Sequence, residues 1–323
     1  MYRRLSIMLG LFLICAVCVN AGPVTISFGL HTMPGGLDEQ AAGKFQEYVS
    51  EMSNGEMKVE LFPGAVLGGE KELLELIKTG EVDLVVFGDF PVATLTPDLA
   101  PMQVPFLFPD YDSLFAVYAG PIGEAINKVF AEKADMMLLG VQRRGARNLT
   151  ANVKITSPED LQGIKLRLPE IPVWVDTWKA TGVLPTPVAW PETYSALQMG
   201  VVDAQENPFE TILTGKIYEV QKYIMLTEHL LSVYHWTFSN KSYRALTPEQ
   251  QDIIRKAADR ALAWANAEAA AREEEAKERL IALGMELVEV DKAAFAAAVE
   301  STIQRIAGTW QPWIWDEVKD FLQ

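Results

Sequence analysis

From residue 24 onward the chain alternates short apolar runs with stretches of helical periodicity, and this alternation constrains the fold more than any other feature. Residues 24–30 read as a strand, and 38–53 as a helix stopped by Asn54-Gly55. Residues 57–62 are the next strand, closed by Pro63-Gly64, followed by a short helix over 70–78 and a strand over 82–87. Strand, helix, strand and helix in this order predict an α/β fold: a mostly parallel sheet with helices on both faces. After a proline-rich passage (Pro91, Pro97, Pro101, Pro105, Pro109), residues 111–133 carry a helical pattern and 136–142 return to strand. A second unit is expected near Arg147, with strands at 164–168 and 201–205, an extended stretch at 185–189, and helices at 173–181 and 191–199. Two further strands, 223–226 and 232–239, follow, the second leading back toward the first unit.

The next helix has the clearest start. Thr247-Pro248-Glu249-Gln250 supplies an N-cap threonine, a first-position proline and a capping-box glutamine. The pattern then runs to residue 283 and stops at Gly284. Such a helix measures about 50 Å at 1.5 Å per residue, longer than one lobe needs. Its alanines hold no sustained heptad, which disfavours a coiled-coil seam, so it is expected to tie two lobes together.

At 323 residues, the chain is long enough for two lobes, each with its own core. Residues 5–19 form a 15-residue apolar run behind Arg3 and Arg4, short of the about 20 residues that cross a bilayer. With Val19-Asn20-Ala21 as a cleavage site, 1–21 is expected to be a signal peptide; a retained anchor is the competing reading. Both cysteines, Cys15 and Cys18, lie inside that segment, so the mature chain has no disulfide or thiol chemistry. Export without cysteines points to a bacterial periplasm. A net charge of −15 argues against nucleic acid as a partner.

Catalytic patterns are missing from the sequence. It contains no phosphate-binding GxxxxGK[ST] loop, no HExxH and no G-x-S-x-G elbow. His31, His229 and His235 do not sit at metal-ligand spacing, so neither a metal nor a cofactor is expected. The informative region is 147–208. Arg147 and Arg167 lie 20 residues apart, with Asn207 40 further on. A guanidinium presents two parallel donors that match a carboxylate. The alternative for Arg167 is an ordinary ion pair with a nearby acid such as Glu159 or Asp160.

Three stretches carry a resemblance: Gly163-x-Lys165-x-Arg167-x-Pro169, then Gly182-Val183-Leu184-Pro185-Thr186-Pro187, then Glu192-x-Tyr194-x-Ala196-Leu197-Gln198-x-Gly200-Val201-Val202-Asp203-x-Gln205-Glu206-Asn207-Pro208. With Phe62-Pro63-Gly64, Leu67-Gly68-Gly69, Gly80-Glu81-Val82-Asp83, Pro105-Phe106-Leu107-Phe108 and Tyr218-Glu219-Val220-Gln221-Lys222-Tyr223, they resemble the DctP family. These are solute receptors of tripartite ATP-independent periplasmic (TRAP) transporters. Val183 stands where alanine is usual, and Ala204 where glycine is.

The resemblance implies a two-lobed fold of the periplasmic-binding-protein type II kind, with a long helix spanning both lobes. It divides the chain into lobe one, 22–144 completed by about 233–270, and lobe two, 145–232 completed by about 271–323. The family's principal ligand arginine falls on Arg167, the second on Arg147 within Arg147-x-x-Thr150-x-Asn152, and the polar contact on Asn207. Trp190, His31 and, more weakly, Tyr234 match positions near ligand; Trp174, on the helix after Arg167, is a further candidate. Core packing is the alternative for both tryptophans. Trp310, Trp313 and Trp315 read as a stripe that docks the last helix. The implied activity is capture of a small-molecule carboxylate without catalysis. The implied partners are the small and large integral membrane subunits of a sodium-driven TRAP permease, served by a monomeric receptor. Rival readings are the binding protein of an ABC importer and a receptor that presents its ligand to a sensor kinase. The carboxylate could be a keto acid, dicarboxylate, sugar acid or aromatic acid.

Overall fold

In the computed structural model, residues 23–319 are described and form one nine-stranded sheet covered by helices. The predicted signal segment lies outside these residues. β1 (Val24–Leu30) pairs in parallel with β2 (Met57–Phe62) and β3 (Leu84–Phe87). The intervening helix Leu37–Met52 presents Ala41, Ala42, Phe45 and Val49, spaced along one face, to the core under Phe28 and Trp236. That face lies on the sheet because the opposite one is charged.

Two strands depart from the sequence expectation. Residues 136–142 are only the start of β4 (Met136–Ala151), and the two strands expected over 223–239 are one, β8 (Tyr223–Ser239). They pair antiparallel along their length and carry the chain between the lobes. Register shifts between Leu138 and Gly140, Arg143 and Gly145, and Arg147 and Leu149 disrupt the two-residue alternation that a sequence reader looks for. Gly145 has φ +123°, and a Cβ there would lie 2.3 Å from the Glu273 carboxylate, so this bulge needs glycine.

Beyond β4 the second lobe adds β5 (Lys165–Leu168), β6 (Leu184–Pro187) and β7 (Ala204–Asn207), giving the order β2-β1-β3-β8-β4-β7-β5-β6. β9 (Glu286–Val288), unforeseen in the sequence, pairs in parallel with the start of β8. The helical pattern over 111–133 is two helices, Tyr111–Ala119 and Pro121–Ala134. The break falls at Gly120-Pro121, where proline has no N–H to continue the ladder.

The helix Pro248–Ala282 is as long as expected. Thr247 Oγ1 accepts from Gln250 N, and Gln250 Oε1 accepts from Thr247 N at 3.0 Å, closing the capping box. Its Ile254, Ala257, Ala261 and Ala265 pack with Phe28 and Phe45 of the first lobe, while Ala276 and Leu280 pack with Ile212 and Ile224 of the second. One rigid rod therefore contacts both cores. The C-terminal region divides, although the expectation placed all of 271–323 in lobe two. Phe295, on the helix Lys292–Ala307, joins Trp174 and Trp178, whereas Ile306, Trp310, Ile314 and Val318 join Tyr111 and Phe130 of the first lobe. Trp310 is buried there and Trp313 partly so, but Trp315 is 51% exposed and stacks on the outside of Trp310, ring centres 6.5 Å apart.

Candidate ligand-binding cleft

Where the lobes meet, a void of about 20 Å³ is walled by His31, Glu70 and Asp89 of the first lobe. Arg144 and Arg147 come from β4, and Arg167, Pro169, Ile171, Trp174, Trp190 and Asn207 from the second lobe. A cavity of about 270 Å³ abuts it, sharing Glu70, Arg167, Pro169 and Trp190. The lobes are thus nearly shut over a site that holds three arginines. A larger hollow of about 560 Å³, beside Tyr111 and Lys277, includes none of these three.

Arg147 is 2% exposed and ion-paired with one carboxylate. Its Nε and Nη2 donate to the two oxygens of Glu206, Nη2 also donates to the Glu206 carbonyl at 2.8 Å, and its plane lies 4.7 Å from the Trp174 ring. Glu206 reaches it because β7 pairs with β4, Leu149 opposite Glu206. The same carboxylate meets His229 Nε2 at 3.0 Å, and His229 Nδ1 lies 2.9 Å from Thr227 Oγ1. Burial pushes Glu206 up, but Arg147 and His229 outweigh it and hold the carboxyl at about 2. Burial lowers the His229 pKa despite Glu206, so the neutral ring donates from Nε2 and accepts at Nδ1.

Arg167 is as deeply buried, at 2% exposed, yet has no ion pair among the described residues. Its Nε and Nη2 both donate to the Val188 carbonyl, at 2.9 and 2.6 Å, and its guanidinium carbon is 5.7 Å from the Trp190 ring centre. Asp160, a possible partner by sequence, instead accepts from Thr156 and Ser157 N–H groups. Burial is the main force on Arg167 and drives its pKa down to about 9; Glu206 and Glu70 pull it up, and Arg147 and Arg144 oppose them. The arginine remains a cation at neutral pH, held in a place that disfavours the charge.

The other candidates sort by contact. Asn207 Oδ1 accepts from Arg144 Nη2 at 3.1 Å, and its Nδ2 donates to Gln205 Oε1 at 2.7 Å. His31 Nδ1 donates to the Val86 carbonyl at 3.1 Å, and its ring lines the void. Trp174 Nε1 donates across the lobes to the Gln103 carbonyl at 2.9 Å, so this ring is both cleft wall and interlobe tie. Trp190 is half-buried and borders both cavities. Tyr234 does not line the void; it stacks against Arg144 at 4.7 Å. Sequence reasoning missed Arg144, Glu70 and Asp89. The Arg143-Arg144-Gly145-Ala146-Arg147 run was visible, but its bulge hid which side each arginine takes.

Two lobes on a shared sheet, a bridging helix and a buried arginine in the cleft between them are the architecture of a solute-binding receptor. The family model of DctP, bacterial extracellular solute-binding protein, family 7, matches residues 28–309, and the chain belongs to that family. A solute-binding protein of Roseobacter denitrificans is 36% identical over 81% of each chain. The sialic acid-binding periplasmic protein of Vibrio cholerae is 32% identical over 76% of this chain and 77% of its own. Among solved structures, a TRAP periplasmic solute-binding protein of Roseobacter denitrificans with bound L-galactonate superposes with a TM-score of 0.85 at 33% identity, covering 93% of this chain and 99% of that one. One from Pseudomonas putida with bound D-glucuronate has a TM-score of 0.86 at 29% identity, over 93% and 98%. Among the described residues no helix is long and apolar enough to cross a membrane.

Proposed function

We propose that this protein is the periplasmic receptor of a TRAP transporter and that it captures a sugar acid, a carboxylate on a polyhydroxylated chain, between its lobes. The observation that carries the reading is Arg167, a buried guanidinium with no counter-ion among the described residues. A ligand carboxylate would supply the charge that the protein withholds. Glu70 and Asp89 on the facing wall are acceptors with lone pairs beyond those already engaged, which suits hydroxyl donors. Related receptors with bound galactonate, glucuronate and galacturonate support the same class. An aromatic acid fits less well, because the Trp174 ring is already covered by Arg147 and its N–H is spent on Gln103.

In this reading residues 1–21 direct export and are cleaved, which N-terminal sequencing of the native protein checks, a retained Met1 counting against it. The receptor then passes its ligand to small and large membrane subunits driven by a sodium gradient. A thermal-shift screen tests the ligand class. Hexonates, uronates or other sugar acids should raise Tm, and stabilisation by aromatic acids alone would overturn the assignment.

A further inference from the structure

Arg144 distinguishes this cleft from one built for a single carboxylate. It is 9% exposed and lines the void beside Arg167. Nη2 donates to Asn207 Oδ1 at 3.1 Å and to Thr211 Oγ1 at 3.3 Å, the plane lies over Tyr234, and the buried Nε has no partner among the described residues. Like Arg167, it has no carboxylate oxygen within 4.0 Å among the described residues.

The nearby acids are engaged elsewhere. Asp89 accepts from Gln103 Nε2 at 3.0 Å and Ser232 Oγ at 2.8 Å, Glu70 accepts from Gly88 N at 2.7 Å, and Asp38 accepts from Thr32. Burial works against the Arg144 charge, but Tyr234, Asp89, Glu70 and Asp38 together more than offset it and raise its pKa. The cavity therefore holds two charged guanidiniums without ion pairs, while the third, Arg147, is already neutralised by Glu206.

We propose that the ligand is a sugar diacid, with one terminal carboxylate on Arg167 and the other on Arg144. The inference rests on the sugar-acid reading above and narrows it. The two arginines reach the void from different strands: Arg167 from β5, and Arg144 from the crossing strand β4, where it lies over first-lobe Tyr234 and donates to Asn207 and Thr211 of the second lobe. A diacid bridges the two guanidiniums with a charge-assisted contact at each end. A monoacid forgoes the close charge-assisted contact on Arg144, which no carboxylate among the described residues makes, and this disfavours it relative to the diacid.

Calorimetric titration with galactarate and glucarate, set against galactonate and galacturonate, tests this. The wild-type protein should bind a diacid at least about 10-fold more tightly than the matching monoacid. Arg144→Gln should weaken diacid binding by about 100-fold, the scale of losing one partner of a buried charge pair, and the monoacid far less. Should Arg144→Gln fail to fold, the wild-type ratio decides alone. Monoacids that bind as tightly as diacids, or a diacid preference that survives Arg144→Gln, would overturn the inference and leave the sugar-acid reading standing. No binding of any of the four would remove both.

Discussion

Arg147 and Arg167 sit in the same cleft, equally buried, and the protein treats them in opposite ways. Arg147 is matched oxygen for nitrogen by Glu206, which is itself steadied by His229. Arg167 receives only the Val188 carbonyl. A buried cation with its own carboxylate is already neutralised; one without has room for an anion, the role proposed above for Arg167. Family motifs name both as ligand arginines, and only the contacts separate their states. The separation also has a mechanical side, since the Arg147 pair joins neighbouring strands β4 and β7, whereas Arg167 faces the opposite wall across the gap.

The largest effect that sharpens this comparison is on stability. Glu206→Ala strands Arg147 in the interior and should destabilise the protein by about 3–5 kcal/mol in urea unfolding. A loss below about 1 kcal/mol would mean that the pair is not part of the framework.

A smaller effect extends the comparison to acids. Glu210 accepts from Leu37 N at 2.8 Å and, with Asp38 and Glu273, forms a buried to half-buried group of carboxylates without ion pairs among the described residues. Burial first, then Asp38 and Glu273, raise Glu210 to about 8, with the Leu37 N–H and Arg272 opposing. The proton is held more tightly in the folded state, so this contribution is complete below the ordinary glutamate pKa and fades as pH rises toward 8. Glu210→Gln keeps an acceptor for Leu37 and should add about 1–2 kcal/mol at pH 8, after allowance for coupling and solvent access, and nothing near pH 4. A gain of equal size at both pH values would refute the titration.

How much of this could be read from the sequence depended on range. The long helix was legible because its capping box and stop are local, within a few residues of its ends. Arg167 stood out as a candidate because the family motif Gly163-x-Lys165-x-Arg167-x-Pro169 is a short local pattern. The Arg147–Glu206 pair was not, because it needs the register of two strands 59 residues apart. Arg144 was lost to the bulge at Gly145, and Glu70 sat unnoticed at the start of a helix where acids are common. Trp315, placed in a docking stripe with Trp310, is exposed because helical spacing gives a face but not what covers it.

The central claim is that Arg167 supplies the charge that holds the ligand. Titration calorimetry of wild type and Arg167→Ala with galacturonate and galactarate tests it most directly. The account predicts a loss of about 2–5 kcal/mol in binding for whichever acid the wild type takes, in a protein that stays folded, since no native ion pair is broken. Near-wild-type affinity in a folded Arg167→Ala protein would contradict it.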